Sequence, residues 1–167
     1  MKCLSASKTV AICVLLLIPV LSQSLNTLSA QSSPRFSLRS LAGDYAVLNH
    51  YGANLALGIG TVHFDGNGEL RGTLLLNRPT SAGTREFVSL TSKGTYTVNE
   101  DGIGTIALAV TLPDGTIKNA TEDFVITNAI WIWGRALAMG IEAAQREQSL
   151  VLGNGVFVTQ TYTRRGE

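Results

Sequence analysis

Two stretches of this sequence follow the same hairpin pattern. Residues 61–73 and 95–105 each begin with alternating polar and apolar side chains, reach a turn rich in Asn, Asp and Gly, and continue with Gly-Thr into an apolar run. Successive side chains of a strand point to opposite faces, so the alternation predicts strands that bury one face. Asn, Asp and Gly accept the positive φ angles of tight turns. The pattern therefore predicts antiparallel hairpins.

Similar runs continue along the chain to residue 163. We predict strands over 43–48, 60–64, 69–76, 86–90, 94–98, 106–112, 116–127, 130–139 and 151–163. About eight strands joined by short turns predict an all-β antiparallel meander. Such a sheet closes into a barrel most readily, because closure leaves no unpaired edge. A two-sheet β-sandwich is the alternative.

The segment 135–148 differs from the rest because it is rich in Ala, Glu and Gln, which favour a helix. Gly140 lies inside it and disfavours a helix by about 1 kcal/mol relative to Ala. We therefore expect the strand to continue to about Met139, followed by a loop or a turn of helix over 142–147.

The first thirty residues have the parts of a secretory signal peptide. Lys2 and Lys8 form a basic start, residues 10–21 are an apolar run, and residues 28–30 supply a small-residue cleavage site. The run is shorter than the ~20 residues that span a membrane. We expect a signal peptide over 1–30, and therefore a secreted or periplasmic protein without a stable membrane anchor after cleavage.

The remaining chain divides into two parts. Residues 31–40 are polar and contain Pro34, which predicts a flexible N-terminal segment. Residues 41–167 carry all the strand-like runs, which predicts a single β-barrel domain.

Composition excludes several classes of function for the mature chain. Cys3 and Cys13 both lie in the leader, so no thiol remains for disulfides, thiol catalysis or cysteine-based metal sites. Loss of Lys2 and Lys8 leaves 11 basic against 12 acidic residues and changes the formal net charge from +1 to −1. That balance gives no basis for nucleic-acid binding. The two histidines do not suffice for a three-histidine zinc site, and no phosphate-binding loop occurs. We expect no metal and no cofactor.

The repeated hairpins carry a family resemblance. Residues 64–73, Phe-Asp-Gly-Asn-Gly-Glu-Leu-Arg-Gly-Thr, and residues 94–105 resemble a pattern of small secreted bacterial proteins of unknown function. The resemblance extends over most of residues 43–165. It implies a calycin-like barrel, similar in outline to lipocalins and allene oxide cyclases, and it implies no catalytic residue. The Gly-x-Trp opening of lipocalins is replaced here by Gly-Asp-Tyr at 43–45.

A ligand site is predicted around the most aromatic strand. Trp131, Trp133 and Arg135 are two residues apart, so a continuous strand places them on one face. With Tyr96 they can form an apolar wall with one cation at its rim, which suits a small apolar or acidic ligand. His63 is predicted to lie opposite its apolar neighbours, either on the outer surface or in the lumen. Core packing with an outward arginine is the alternative for the aromatic strand.

Three hypotheses for function follow. The first is a barrel that binds a small, largely apolar ligand or a partner without catalysis. The second is an isomerase-type enzyme in which His63 or a carboxylate such as Glu122 transfers a proton. The third is an envelope interaction module with a filled barrel, which forms a homo-oligomer through residues 130–133 because that strand is apolar on both faces.

Overall fold

The chain folds into a closed, eight-stranded antiparallel barrel. The computed structural model describes residues 35–153 and 155–166. Each strand pairs with the next along the chain, and the last strand pairs with the first. The strands are β1 (Gly43–Tyr51), β2 (Ala56–Phe64), β3 (Glu69–Pro79), β4 (Arg85–Val98), β5 (Ile103–Thr111), β6 (Ile117–Ile132), β7 (Arg135–Gln145) and β8 (Val158–Arg164). The predicted closed meander is confirmed, and the sandwich alternative is wrong.

The interior contains two clusters of buried apolar side chains, one toward each end of the barrel. The end with the β2–β3 and β4–β5 turns also carries a 3-10 helix, Leu38–Ser40, and is called the helix end below. The opposite end carries the β7–β8 connection, residues 146–157, and is called the loop end. The helix-end cluster includes Leu41, Tyr45, Phe64, Tyr96, Phe124 and Tyr162. The loop-end cluster includes Tyr51, Ala56, Leu76, Val88, Leu90 and Val158.

The helix end is filled by aromatic packing and by the N-terminal segment. The ring of Phe64 lies edge-on to Tyr45 and Tyr96, with centroid distances of 5.3 and 5.0 Å. Leu41 is fully buried, and the Tyr96 hydroxyl donates a hydrogen bond to the Leu38 carbonyl oxygen over 3.2 Å. These contacts fill the helix end of the barrel with packed side chains.

Close approach of neighbouring strands requires glycine at several positions, of which Gly60 and Gly94 are two examples. A Cβ at Gly60 would overlap the carbonyl oxygen of Thr73 on β3, and a Cβ at Gly94 would overlap that of Ala107 on β5. Glycine in a strand commonly marks such close backbone contacts and tight bends of a barrel. The high glycine content therefore serves strand curvature as well as turns.

The predicted division of residues 86–98 into two strands needs correction. β4 is one strand over Arg85–Val98, where the sequence predicted separate strands over 86–90 and 94–98. Ser92 and Gly94 interrupt the apolar pattern, but the hydrogen-bonded ladders to β3 and β5 continue past them. The backbone pairing therefore persists where the side-chain signal disappears.

The predicted loop or helical turn over 142–147 is also wrong, because β7 extends to Gln145. Ala136, Ala138 and Ala143 are buried on this strand, so small side chains there face the packed interior. Tertiary packing overrides the helix preference of alanine.

β8 begins at Val158, seven residues later than the predicted 151, because residues 146–157 form the connection that crosses the loop end.

Several predictions fall on the N-terminal region. The signal peptide over 1–30, both cysteines and residues 31–34 lie outside the described residues. Residues 35–40 lie against the barrel, where the Phe36 amide donates to the Glu100 carbonyl oxygen over 3.1 Å and Leu38 contacts the core. No helix in the described ranges has the length and hydropathy of a membrane span.

Candidate functional site

A cavity lies in the barrel interior between the two apolar clusters. Its volume is about 70 Å³, whereas one water molecule needs only ~10–15 Å³. The space therefore holds several waters or one small organic molecule. Most of its wall is apolar and includes Val47, Val62, Phe64, Leu74, Leu90 and Leu108.

One group of hydrogen-bonded polar side chains interrupts this apolar wall. Glu122 on β6 is only 3% exposed. Its Oε1 atom accepts a hydrogen bond from Gln160 Nε2 over 2.7 Å, and its Oε2 atom accepts one from the Tyr162 hydroxyl over 2.8 Å. Both donors belong to β8, so the carboxyl group links two strands that are separated by β7.

The surroundings of Glu122 change its proton affinity. Burial raises the pKa of Glu122 from 4.5 to about 7, against the opposing effect of the hydrogen bond from Tyr162. Burial raises the pKa of the Tyr162 hydroxyl well above its ordinary value, and the negative charge of Glu122 raises this pKa further. Tyr162 therefore remains a proton donor at neutral pH, while Glu122 exchanges its proton near neutrality.

Two further oxygen atoms of this group have no hydrogen-bond partner. Asn49 on β1 lies directly opposite Gln160 on β8, and both side chains line the cavity. Asn49 Oδ1 and Gln160 Oε1 are buried without a partner. The hydrogen bond from Gln160 Nε2 to Glu122 directs Gln160 Oε1 away from that carboxyl group. Buried polar atoms in folded proteins are nearly always paired, so these two acceptors call for an explanation. We call Glu122, Gln160, Tyr162 and Asn49 the polar cluster.

The connection 146–157 forms part of the cavity wall at the loop end. Leu150 and Val151 of this segment line the cavity. Lys118 Nζ donates to the Leu150 carbonyl oxygen over 2.9 Å, and the Thr121 amide donates to Glu147 Oε2 over 2.8 Å. The Lys118 side chain and the Thr121 backbone of β6 therefore hold the connection in place over this end.

Two of the predicted site residues lie apart from the cavity. Tyr96 is buried at the helix end, where its hydroxyl also accepts a hydrogen bond from the Gly66 amide over 2.9 Å. His63 is on the outer face of β2, and its Nδ1 atom is 2.8 Å from Asp44 Oδ1. The lumen-facing alternative for His63 is therefore wrong.

The other three predicted site residues belong to the β6–β7 hairpin. Trp133 and Gly134 form its two-residue turn with φ values of 53° and 74°. Trp131 pairs with Ala136, while Arg135 pairs with Ile132, so Trp131 and Arg135 lie on opposite faces of the hairpin. The prediction of one shared face is wrong because the chain reverses at Trp133. None of the five predicted residues lines the cavity, and binding at the exposed hairpin stays a prediction.

Sequence reasoning named Glu122 only as an alternative proton-transfer group and missed the other members of the polar cluster. A signal for them exists in the sequence. Glu122 lies between Ala120 and Phe124 on one strand face, and Gln160 has the same position between Val158 and Tyr162. Asn49 likewise interrupts an apolar face. Glu122, Gln160 and Asn49 are therefore each marked in the sequence as a single polar residue on an otherwise apolar strand face.

The charged side chains of the described residues show no three-ligand arrangement for a metal. Across residues 35–153 and 155–166, no three His, Cys, Asp or Glu side chains lie close enough to bind one ion together. Comparison with protein-family models, curated proteins and solved structures returns no match for this chain.

Proposed function

We propose that the barrel binds a small, largely apolar molecule in its interior, without catalysis. The observation that supports this most directly is the polar cluster, which places residues with unpaired acceptor oxygens in the wall of an apolar cavity. Binding sites for small molecules commonly combine an apolar wall with a few polar groups that orient the ligand. The unpaired oxygens of Asn49 and Gln160 are suited to a hydrogen-bond donor on the ligand.

The chemistry of the polar cluster restricts the ligand. A carboxyl group and two amide oxygens repel an acidic ligand, and Arg135, the cation that the sequence suggested for an acid, lies on the exposed hairpin. The ligand proposed here therefore has an apolar body and at least one N–H or O–H group.

We also propose that the protein is a secreted or periplasmic, calycin-like bacterial barrel. Support comes from the eight-stranded antiparallel meander and from the signal-like leader over 1–30. Under this proposal, ligand binding takes place outside the cytoplasm.

Mass spectrometry of the protein purified from its own source tests the proposed binding. A mass excess under native conditions that disappears on denaturation is the expected result. Ala120→Leu adds a side chain to the cavity wall and should remove that excess. Ala107→Leu, on the exposed outer face of the neighbouring strand, is the matched control and should retain it. A bare wild-type protein would count against the proposal.

A second candidate function is proton transfer in an isomerase-type reaction. It is favoured by the pKa of Glu122 at about 7, since an acid–base group works best when its pKa is near the operating pH. Glu122→Gln should then abolish turnover of a substrate found by screening, whereas His63→Ala on the outer face should retain full activity. Retained turnover in Glu122→Gln would exclude this role.

A further inference from the structure

Among residues 35–153 and 155–166, the buried carboxyl group of Glu122 has no cationic partner. Its two hydrogen-bond donors, Gln160 and Tyr162, are neutral. No Lys, Arg or His is present among the cavity-lining residues of the described chain. Arg146 instead binds Asp123, the chain neighbour of Glu122, on the outside of the barrel over 2.8 Å. Buried carboxylates in proteins are normally paired, so the cluster lacks a cation.

The unpaired atoms around Glu122 are all acceptors. Gln160 contacts Glu122 through its amide nitrogen, which leaves its oxygen free, and Asn49 lies opposite Gln160 on the adjacent strand. Glu122, Gln160 and Asn49 thus contribute three acceptor groups to the cavity wall. A primary ammonium group carries three N–H donors and no acceptor, which matches this set.

The remainder of the cavity suits the other part of such a ligand. The rings of Phe64, Tyr51 and Tyr162 line the wall together with aliphatic side chains. Aromatic faces attract cations, and the aliphatic wall accepts a short hydrocarbon group. The cavity volume of about 70 Å³ restricts that group to a small one.

We infer that the interior site takes a small primary amine as its ammonium ion, with Glu122 as counter-ion and with Asn49 and Gln160 as further acceptors. This inference rests on the proposed ligand-binding function and specifies its ligand class.

Binding of an ammonium ion to this site depends on pH. Tyr162, Tyr51 and Glu147 are the titratable groups that face Glu122 from β8, β1 and the connection. Burial raises the pKa of both tyrosines, so they remain neutral up to pH 9. The hydrogen bond from the Thr121 amide lowers the pKa of Glu147, so that group remains ionised above pH 5. Glu122 is therefore the group that titrates, and amine affinity falls as it becomes protonated.

Calorimetric titration with three compounds of one carbon skeleton tests the inference. The probes are ethylamine, ethanol and acetate, which are small enough for a cavity of about 70 Å³. At pH 8 the amine should bind at least about tenfold more tightly than the alcohol, and the acid should not bind, since one missing charge-assisted contact costs about 1.4 kcal/mol or more. At pH 5.5 the amine should bind about 30-fold more weakly, because each pH unit below the pKa lowers the ionised fraction tenfold.

Two variants distinguish an effect of the Glu122 charge on amine affinity from a general effect of substitution on the structure. Glu122→Gln should lose at least about tenfold in amine affinity at pH 8 and retain the alcohol, because the shape of the site is kept. Asp123→Asn removes the neighbouring carboxylate on the outer face and should leave amine affinity unchanged. Thermal unfolding of both variants verifies that each is folded.

The outcomes distinguish the inference from the function on which it rests. Equal binding of amine and alcohol, or amine affinity that is the same at pH 5.5 and pH 8, overturns the amine inference and leaves ligand binding in place. If no compound binds and the source-purified protein carries no ligand, both fail. Loss of amine binding in Glu122→Gln together with the expected pH dependence supports both.

Discussion

Replacement of Glu122 by glutamine should stabilise the protein above neutral pH. The carboxyl group is buried, and its pKa rises from 4.5 to about 7 on folding. A raised folded-state pKa means that the native state binds the proton more tightly than the unfolded chain. The contribution of Glu122 to stability is therefore fully present below pH 4.5 and is lost as the pH rises through 7.

The size of this loss follows from the shift in pKa. Each pKa unit corresponds to about 1.36 kcal/mol, so the full effect is about 3 kcal/mol and most of it falls between pH 5 and pH 8. Glutamine has nearly the same shape and does not titrate. Its amide can donate to Gln160 Oε1 after rotation of the Gln160 side chain, while its oxygen accepts from Tyr162. The variant should thus avoid a new buried unpaired group.

Urea unfolding at several pH values measures the effect. The free energy of unfolding of wild type minus that of Glu122→Gln should fall by about 2–3 kcal/mol from pH 5 to pH 8. Asp123→Asn is the control, since Arg146 holds the pKa of that exposed carboxylate below 3.8 and its titration lies outside this range. Parallel curves for wild type and Glu122→Gln, within about 0.5 kcal/mol, would refute the argument that Glu122 is buried without a counter-charge.

Three further changes probe the turn, the helix end and the strand contacts. Trp133→Asn should stabilise the protein by up to about 1 kcal/mol in thermal unfolding, because Asn tolerates the φ of 53° better. If residues 130–133 mediate self-association, the same variant should be monomeric by light scattering where wild type is not, and equal masses would argue against that interface. Tyr96→Phe should cost about 1–3 kcal/mol in urea unfolding, since the Gly66 amide and the Leu38 carbonyl oxygen both lose a partner; an unchanged midpoint would contradict this. Gly60→Ala should prevent folding because its Cβ overlaps the Thr73 carbonyl oxygen, and a native circular dichroism spectrum would disprove that contact.

Much of the strand pattern was predictable from the sequence. The turns at 65–68, 99–102 and 113–115 lie where Asn, Asp and Gly predicted them. These predictions succeed because turn chemistry and period-two alternation act over a few residues. The prediction of two separate strands within 85–98 was wrong. Ser92 and Gly94 are too small to indicate which face of the strand is buried, although their backbones remain paired with the neighbouring strands.

The candidate site was less predictable because it depends on contacts between distant strands. The aromatic run ending at Trp133 gave a strong local signal, but a chain reversal at a bulky residue with positive φ has no clear local signature. Glu122 and Gln160 are separated by 38 residues and meet only because β7 brings β8 beside it. Each of them looked like an isolated polar residue on its own strand.

The sequence by itself determined the strand class, the hairpin turns that Asn, Asp and Gly mark, and which residues share a face within each strand, because these follow from backbone geometry over two to four residues. Only the tertiary structure decided which faces turn inward and which side chains meet across the barrel. A one-residue change of register exchanges the inner and outer faces of a strand, and closure of all eight strands selects one register for each. That selection placed Glu122, Asn49 and Gln160 around one cavity and left Trp131 and Trp133 outside it.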